Sequence, residues 1–251
     1  MIDAHTHRLK RNAIVNIDPV DIRQPHPPST HPQSIHTPAA PAPPIGAQLP
    51  GCSPVLLPGY TYSVGIHPWN VFTVTPADLR LLRALAAHPR VLAIGECGLD
   101  PNLPAISPHS AARERAEAPG AASLSARFVS VEGFSPQSKK LQPQNSRAEI
   151  LAAQTALLRI HYELSETLRK PLILHIVKSF PKIIALRKQW KPTQPWIIHG
   201  FRGKPQLARE LLAHGFHLSY GKKYNPASLA ITPVSRLLRE TDEMPDSSTV
   251  F

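Results

Sequence analysis

Short apolar segments recur along this sequence, and several of them end on a residue that can bind a metal ion. The first reads Met1-Ile2-Asp3-Ala4-His5-Thr6-His7. Alternate side chains of a strand share a face, so His5 and His7 are predicted to point the same way, roughly 7 Å apart at Cα. Two imidazoles on one face can converge on one metal ion.

A His-x-His pair also arises by chance, but an apolar run that leads to a potential metal ligand recurs further along the chain. Four more apolar runs are followed by, or end on, a potential ligand, and they cover residues 91–96, 171–175, 195–199 and 236–242. The ligands that they supply are Glu96, His175, His199 and Asp242. An isolated strand histidine is usually a hydrogen-bonded core residue. Five strand ends of this kind together indicate a metal site instead.

The segments between these runs have helical periodicity. Further strands are predicted at 13–17, 60–66 and 216–220, and helices at 75–87, 148–170, 180–190 and 204–214. Alternating strands and helices, with buried-type strands and ligands at their C-terminal ends, are typical of an α/β fold, the (β/α)8 or TIM barrel. Its active site lies on that face of the barrel.

A chain of 251 residues suits one barrel domain, which we place at residues 1–251. Two stretches interrupt the pattern: a Pro-rich segment at 18–58, predicted as a loop, and an irregular segment at 101–146, predicted as an insertion. Only nine residues follow Asp242, too few for a helix after strand eight. We therefore expect a truncated C-terminus, which predicts a less stable barrel or one completed by a partner.

The chain is strongly basic, with a net charge of +11. Clustered Lys and Arg attract phosphates, so nucleic acid is a partner that would make this charge useful. Two cysteines exclude a disulfide framework, and the first residues do not resemble a secretory signal. No apolar run approaches the roughly 20 residues of a membrane span. We expect a cytoplasmic protein without a membrane partner.

The predicted ligands are four imidazoles and two carboxylates: His5, His7, His175, His199, Glu96 and Asp242. This set exceeds what one catalytic ion needs and fits two divalent ions about 3.5–4 Å apart better. A carboxylate has two oxygens and can bridge, and Glu96 lies in the middle of the barrel order. Imidazoles suit Zn, Mn, Co and Ni, and the carboxylates also admit Mg, so the metal is left open.

Six segments together resemble the TatD family of metal-dependent deoxyribonucleases. They appear in the family's order and leave out the two irregular stretches, and they read Ile2-Asp3-Ala4-His5-Thr6-His7, Gly65-Ile66-His67-Pro68-Trp69, Ile94-Gly95-Glu96-Cys97-Gly98-Leu99-Asp100, Leu174-His175, His199-Gly200-Phe201 and Glu240-Thr241-Asp242. The resemblance implies a TIM-barrel hydrolase that cleaves phosphodiester bonds of DNA, often from a 3′ end.

The resemblance also implies roles for the ligands. One ion would be held by His5, His7, Glu96 and Asp242, and the other by Glu96, His175 and His199. Two such ions would neutralise phosphate oxygens and lower the pKa of a bound water. Asp242 is our candidate to accept that water's proton, because a ligating histidine has already committed its acceptor nitrogen. Glu96 and Asp242 are thus the predicted catalytic carboxylates.

Four basic side chains near the predicted site are candidates for binding substrate phosphates: His67, Lys178, Arg202 and Lys222. The resemblance supports His67 most. For the other three, a solvated surface charge is an equally good interpretation. Trp69 is able to stack on a base, but packing at the barrel rim is the more common use of such a residue.

Two other functions remain open. His-x-His on strand one also suits an amidohydrolase-like enzyme acting on C–N or ester bonds, although related barrels often bridge their metals with a modified Lys where this chain has Glu96. A catalytically impaired nucleic-acid-binding protein is the other alternative, and the six intact ligands argue against it. The sequence does not distinguish DNA from RNA as the substrate.

Overall fold

Eight parallel strands close into a barrel, in chain order, with the last strand beside the first. The computed structural model describes residues 3–6, 12–22, 56–103 and 146–242. The predicted (β/α)8 barrel is therefore confirmed. The strands are β1 Asp3–Thr6, β2 Ala13–Ile17, β3 Thr61–Val64, β4 Val91–Leu99, β5 Leu172–Ile176, β6 Trp196–Ile198, β7 His217–Tyr220 and β8 Leu237–Arg239.

Six α-helices occur within the described ranges. They are α1 Pro19–Ile22, α2 Pro76–Ala86, α3 Arg147–Leu168, α4 Phe180–Trp190, α5 Pro205–Ala213 and α6 Pro226–Ala230, and two 3₁₀ turns lie at Pro68–Phe72 and Val234–Arg236. None of these helices combines the length and the hydrophobicity that crossing a membrane requires.

Local sequence explains where the helices start. Thr75 caps α2 as predicted, with its side chain accepting from the amide of Asp78 while Asp78 bonds back to the amide of Thr75. Ser146 and Glu149 make the same reciprocal pair at the start of α3. Such capping boxes satisfy amides that lack a partner within the helix.

The helix α1 lies inside the segment 18–58 that was predicted to be a loop, and the prediction was wrong there. Pro19 occupies the first helical position, and Asp18 Oδ1 accepts from the amide of Val20 at 2.9 Å. Proline tolerates a helix start because its missing donor is not needed there. The rest of that segment up to residue 55, and residues 104–145 of the predicted insertion, lie outside the described residues.

The core has an inner and an outer layer. Ala93, Ile173, Ile197 and Leu238 form a small cluster of strand side chains separate from the main core. Most other buried apolar side chains form one cluster that includes strand and helix residues. This arrangement, a filled barrel interior within a ring of helices, leaves the site to the loops and strand ends.

Strand β4 differs from its prediction at the position that matters most. It was predicted to end at Glu96 but continues to Leu99. Its pairing with β5 shifts register, since Ile94 lies opposite Leu172 and Cys97 opposite Leu174. Three residues on one strand thus span two on the other, as in a β-bulge, a feature that re-aims side chains near active sites.

Two glycines make this irregular strand possible. Gly95 has φ +131° and Gly98 φ +148°, in the region that side chains with a Cβ rarely adopt. A Cβ on Gly95 would overlap the carbonyl oxygen of Ile173, and one on Gly98 that of His175. Strands β4 and β5 therefore approach closely on both sides of Glu96.

Candidate metal centre

Glu96 is a buried carboxylate surrounded by imidazoles. Its side chain is only 3% exposed, and its two oxygens face different neighbours. Oε1 lies 2.7 Å from His175 Nδ1 and 2.7 Å from His199 Nε2. Oε2 lies 3.3 Å from His5 Nε2.

Three strands bring these histidines together. His5 is on β1, His175 on β5, and His199 directly follows β6. The nitrogens His175 Nδ1 and His199 Nε2 are themselves 3.1 Å apart. The structure thus brings four of the predicted ligands to one point on the face where the strands end.

Asp242 reaches the same point from beyond β8. Its amide donates to the carbonyl of His5 at 3.2 Å, and its Oδ1 lies 3.8 Å from His5 Nε2. Its backbone is left-handed, with φ +50°, and its side chain is one-third exposed. Asp tolerates this conformation better than most residues. His7, the sixth predicted ligand, lies outside the described residues.

His199 and Glu96 shift each other's pKa strongly. Burial raises the pKa of Glu96, but the adjacent imidazoles, His199 foremost, outweigh it and hold that pKa well below its usual value. Burial lowers the pKa of His199, yet the Glu96 and Glu240 carboxylates raise it well above the usual range. The cluster is therefore built to hold positive charge beside Glu96.

The donor set fits a metal ion. Imidazole nitrogens and carboxylate oxygens are ligands for Zn, Mn, Co and Ni. Ligand atoms from His5, Glu96 and His199 lie within 4.8 Å of one another, as do those from His67, Glu96 and His175 and those from His199, Glu240 and Asp242. A buried carboxylate that three imidazole nitrogens approach within 3.3 Å offers the oxygen and nitrogen donors that a divalent cation can bind.

Two carboxylates in contact with these histidines received no role from the sequence. Glu240 Oε1 accepts from the amide of Gly200 at 2.6 Å and lies 3.6 Å from His199 Nδ1. Asp100 Oδ2 lies 3.4 Å from His175 Nε2. A carboxylate that bonds to the ring nitrogen not used for the metal fixes the tautomer and ring orientation of a metal-binding histidine. Both belong to segments that carried the TatD resemblance, which was the available signal.

The four candidate phosphate contacts have different surroundings. His67 Nε2 is 3.5 Å from Glu96 Oε1, so it belongs to the cluster itself. Arg202 and Lys222 line a cavity of about 230 Å³ that also borders Asp242. Lys223, which was not a predicted phosphate contact, lines it too. Lys178 is exposed and is not among the residues lining that cavity.

The loop that carries His67 is anchored by buried polar groups. Asp18 Oδ2 accepts from the amide of His67 at 2.8 Å and from the side chain of Asn70 at 3.0 Å. His161 on α3 accepts from the amide of Ile66 at 2.9 Å. Neither anchor was predicted, because each lies far along the chain from the loop.

Comparison with known proteins agrees with this geometry. The profile of the family described as TatD related DNase matches residues 57–248. A 3′-5′ ssDNA/RNA exonuclease TatD from Cronobacter turicensis is 32% identical over 190 residues, which are 72% of this chain and 56% of that protein. The metal-dependent hydrolase YabD of Bacillus subtilis, an uncharacterized protein, is 25% identical over 189 residues, 72% of this chain and 57% of its own.

A solved structure is also similar: the crystal structure of YJJV, a TatD homolog from Escherichia coli K12, aligns with a TM-score of 0.49 at 21% identity, covering 74% of this chain and 59% of that one. The chain spans a little over half the length of the curated relatives named above. The matched profile covers well over half of this chain. The chain belongs to the TatD family of DNase-related metal-dependent hydrolases.

Proposed function

We propose that this protein is a metal-dependent phosphodiesterase that removes nucleotides from the 3′ end of single-stranded DNA, with RNA as a second substrate. The name of its relative from Cronobacter turicensis, an ssDNA/RNA exonuclease, supports the substrate class. The observation that carries the proposal is Glu96, whose two carboxylate oxygens face separate imidazole nitrogens in a buried site.

The ligand assignment follows from those two oxygens. Glu96 Oε2 faces His5 and Oε1 faces His175 and His199, which supports a bridging role between two divalent ions. In this proposal His5, His7, Glu96 and Asp242 hold one ion, and Glu96, His175 and His199 hold the other. Bound divalent ions supply charge neutralisation at the phosphate and a water of lowered pKa.

The remaining steps belong to the chain's own groups. Asp242 is partly exposed and borders the open cavity, where its carboxylate can take a proton from an attacking water. Arg202 and Lys222 line the same cavity and provide donors and positive charge for the phosphates of a bound strand. Burial of Glu96, His5 and His199 excludes bulk water around them, which strengthens the electrostatic interactions that these three groups make.

A cleavage assay tests the proposal. End-labelled single-stranded DNA and RNA are incubated with the full chain and Mg, Mn, Co, Ni or Zn, and the products are resolved by length. We expect stepwise shortening from the 3′ end that a chelator stops. The Glu96→Gln variant should lose this activity. Glu210→Gln, which changes an exposed carboxylate on α5, is the matched control and should keep it.

Either of two outcomes would refute the proposal and favour another function. Metal-dependent hydrolysis of small amides without release of nucleotides would favour the amidohydrolase-like alternative. Binding of DNA without cleavage under every metal would favour the nucleic-acid-binding protein.

A further inference from the structure

Trp69 is a large aromatic side chain exposed beside the candidate metal centre. It follows β3 within the 3₁₀ turn Pro68–Phe72 and is 44% exposed. The ring packs at a steep angle against His67 and His175, yet close to half of the side chain stays accessible. Among the described residues, few large apolar side chains are more than about a third exposed, and the others are Leu57, Leu92, Tyr224 and Val234.

The indole is held in one orientation despite its exposure. Its Nε1–H donates to Asp100 Oδ2 at 2.8 Å, and Asp100 is itself buried. The other oxygen of that carboxylate accepts from the amide and side chain of Asn102. The backbone of Asp100 is fixed in turn by Gln154, which also donates to the carbonyl of Pro68.

This anchoring has an energetic meaning for binding. A side chain that is already fixed loses little conformational entropy when a ligand covers it. Tryptophan offers a wide flat surface with only two side-chain torsions, which makes it an efficient contact residue. An apolar ring that is both exposed and rigid is therefore suited to a flat ligand.

The ring is also close to the reacting groups. Its centroid is 4.7 Å from that of His67 and 6.1 Å from that of His175, whose Nδ1 contacts Glu96. Trp69 thus lies directly beside an imidazole of the cluster. In a nucleotide, the base lies one sugar ring away from its phosphate.

We infer that Trp69 stacks on a nucleobase next to the phosphodiester bound at the metal centre, and so makes the site selective for strands that carry an unpaired base there. The inference rests on the proposed function for its substrate. Base–aromatic stacking needs an unstacked base and tolerates any sequence, because every base has a π-face. The contact favours single-stranded ends and gives little preference among the four bases.

Equilibrium binding tests the inference without requiring cleavage. Fluorescence anisotropy is measured with a labelled single-stranded oligonucleotide, and with the same oligonucleotide whose last three 3′ residues are abasic. The full chain is compared with its Trp69→Ala variant, each in the presence of a chelator so that the oligonucleotide is not cleaved. We expect Trp69→Ala to weaken binding of the normal oligonucleotide roughly 5- to 150-fold, the effect of one base–aromatic stack. Binding of the abasic oligonucleotide should not change.

Two further variants separate stacking from structure. Trp69→Tyr keeps an aromatic face and should keep most of the preference for the base-bearing strand. Leu92→Ala removes an exposed apolar side chain near the start of β4, away from Glu96, and should change neither affinity. Thermal unfolding of every variant checks that the barrel is intact.

The results distinguish the two hypotheses. Equal weakening of both oligonucleotides by Trp69→Ala, or no weakening of either, would overturn the stacking role. So would an abasic end that wild-type protein binds as tightly as a normal one. If the protein binds DNA in a Trp69-dependent manner but does not cleave it, the phosphodiesterase proposal is refuted and the stacking role is retained.

Discussion

Protonation of one buried histidine should control how stable this barrel is below neutral pH. His161 on α3 is fully buried, and its two ring nitrogens face groups that demand opposite roles. Nε2 accepts from the amide of Ile66 at 2.9 Å, while Nδ1 lies 2.9 Å from the carbonyl of Leu157 and must donate to it. Only the neutral ring satisfies both. Burial lowers the pKa of His161 from 6.5 to about 4.

The direction of the effect follows from these values. Between pH 6.5 and pH 4 the unfolded chain binds a proton at this position and the folded chain does not, so stability falls as the pH is lowered through that window. Going from pH 7 to pH 5, this one group should remove about 2 kcal/mol of unfolding free energy. Other titrating groups contribute as well, so the effect must be isolated by a variant.

Urea unfolding of wild type and His161→Gln at pH 7 and pH 5, followed by circular dichroism, isolates it. Gln offers an acceptor to the amide of Ile66 but does not titrate. We expect the variant to be less stable at pH 7, and this deficit to shrink by about 2 kcal/mol at pH 5. Ser165→Ala removes a partly buried hydrogen bond to the carbonyl of Lys170, one turn further along α3, and serves as the control, because its deficit should be the same at both pH values. An unchanged deficit for His161→Gln would refute the reasoning.

Three other predictions concern the site and the strand that carries it. Asp242→Asn should lower kcat by about 10²- to 10⁴-fold, the contribution of one general base, with thermal unfolding unchanged; near-normal hydrolysis with metal present would contradict it. A divalent ion at a hundredfold excess over its Kd should stabilise wild type by about 2.7 kcal/mol in thermal unfolding. The Glu96→Gln variant should lose most of this stabilisation. Equal stabilisation of the variant and wild type would show that the ion binds elsewhere. Gly98→Ala should lower the free energy of unfolding in urea by about 2–5 kcal/mol, because of backbone strain and overlap with β5. Gly59 has φ +83° and nothing within 4 Å of an added Cβ, so Gly59→Ala should lower it by only about 1–2 kcal/mol. Similar losses for the two variants would argue against a close approach of β4 and β5.

Much of the fold could be predicted because its signals are local. Thr75, Pro76 and the leucines after them specify α2 without any distant contact. The apolar runs of the strands are equally plain, since a parallel strand covered on both faces reads as an uninterrupted hydrophobic segment. Helix α1 was missed because only four helical residues stand among many prolines, and Asp18 is a weak signal in that setting.

The candidate site was less accessible to the sequence where geometry depends on distant segments. The position of Glu96 was found, but not the bulge in β4 that re-aims it, because a bulge depends on how β5 pairs alongside. The carboxylates behind the histidines, Asp100 and Glu240, could be recognised only once the rings were placed. The orientation of the Trp69 indole likewise depends on its bond to Asp100, thirty-one positions along the chain.

The junction of β8 with β1, here called the seam, is a weakly paired part of the barrel. Strand β8 has three residues, all of them only half-buried, and a single residue pair, Asp3 with Arg239, registers it against β1. Local opening should therefore begin here, at a free energy below that of global unfolding. Because Asp242 is held by the carbonyl of His5 across this seam, opening would carry a proposed ligand and proton acceptor away while the rest of the barrel stayed folded. An ion bound by both Asp242 and His5 would hold β8 against β1. Amide hydrogen exchange in β8 should therefore slow on metal addition more than in any other strand.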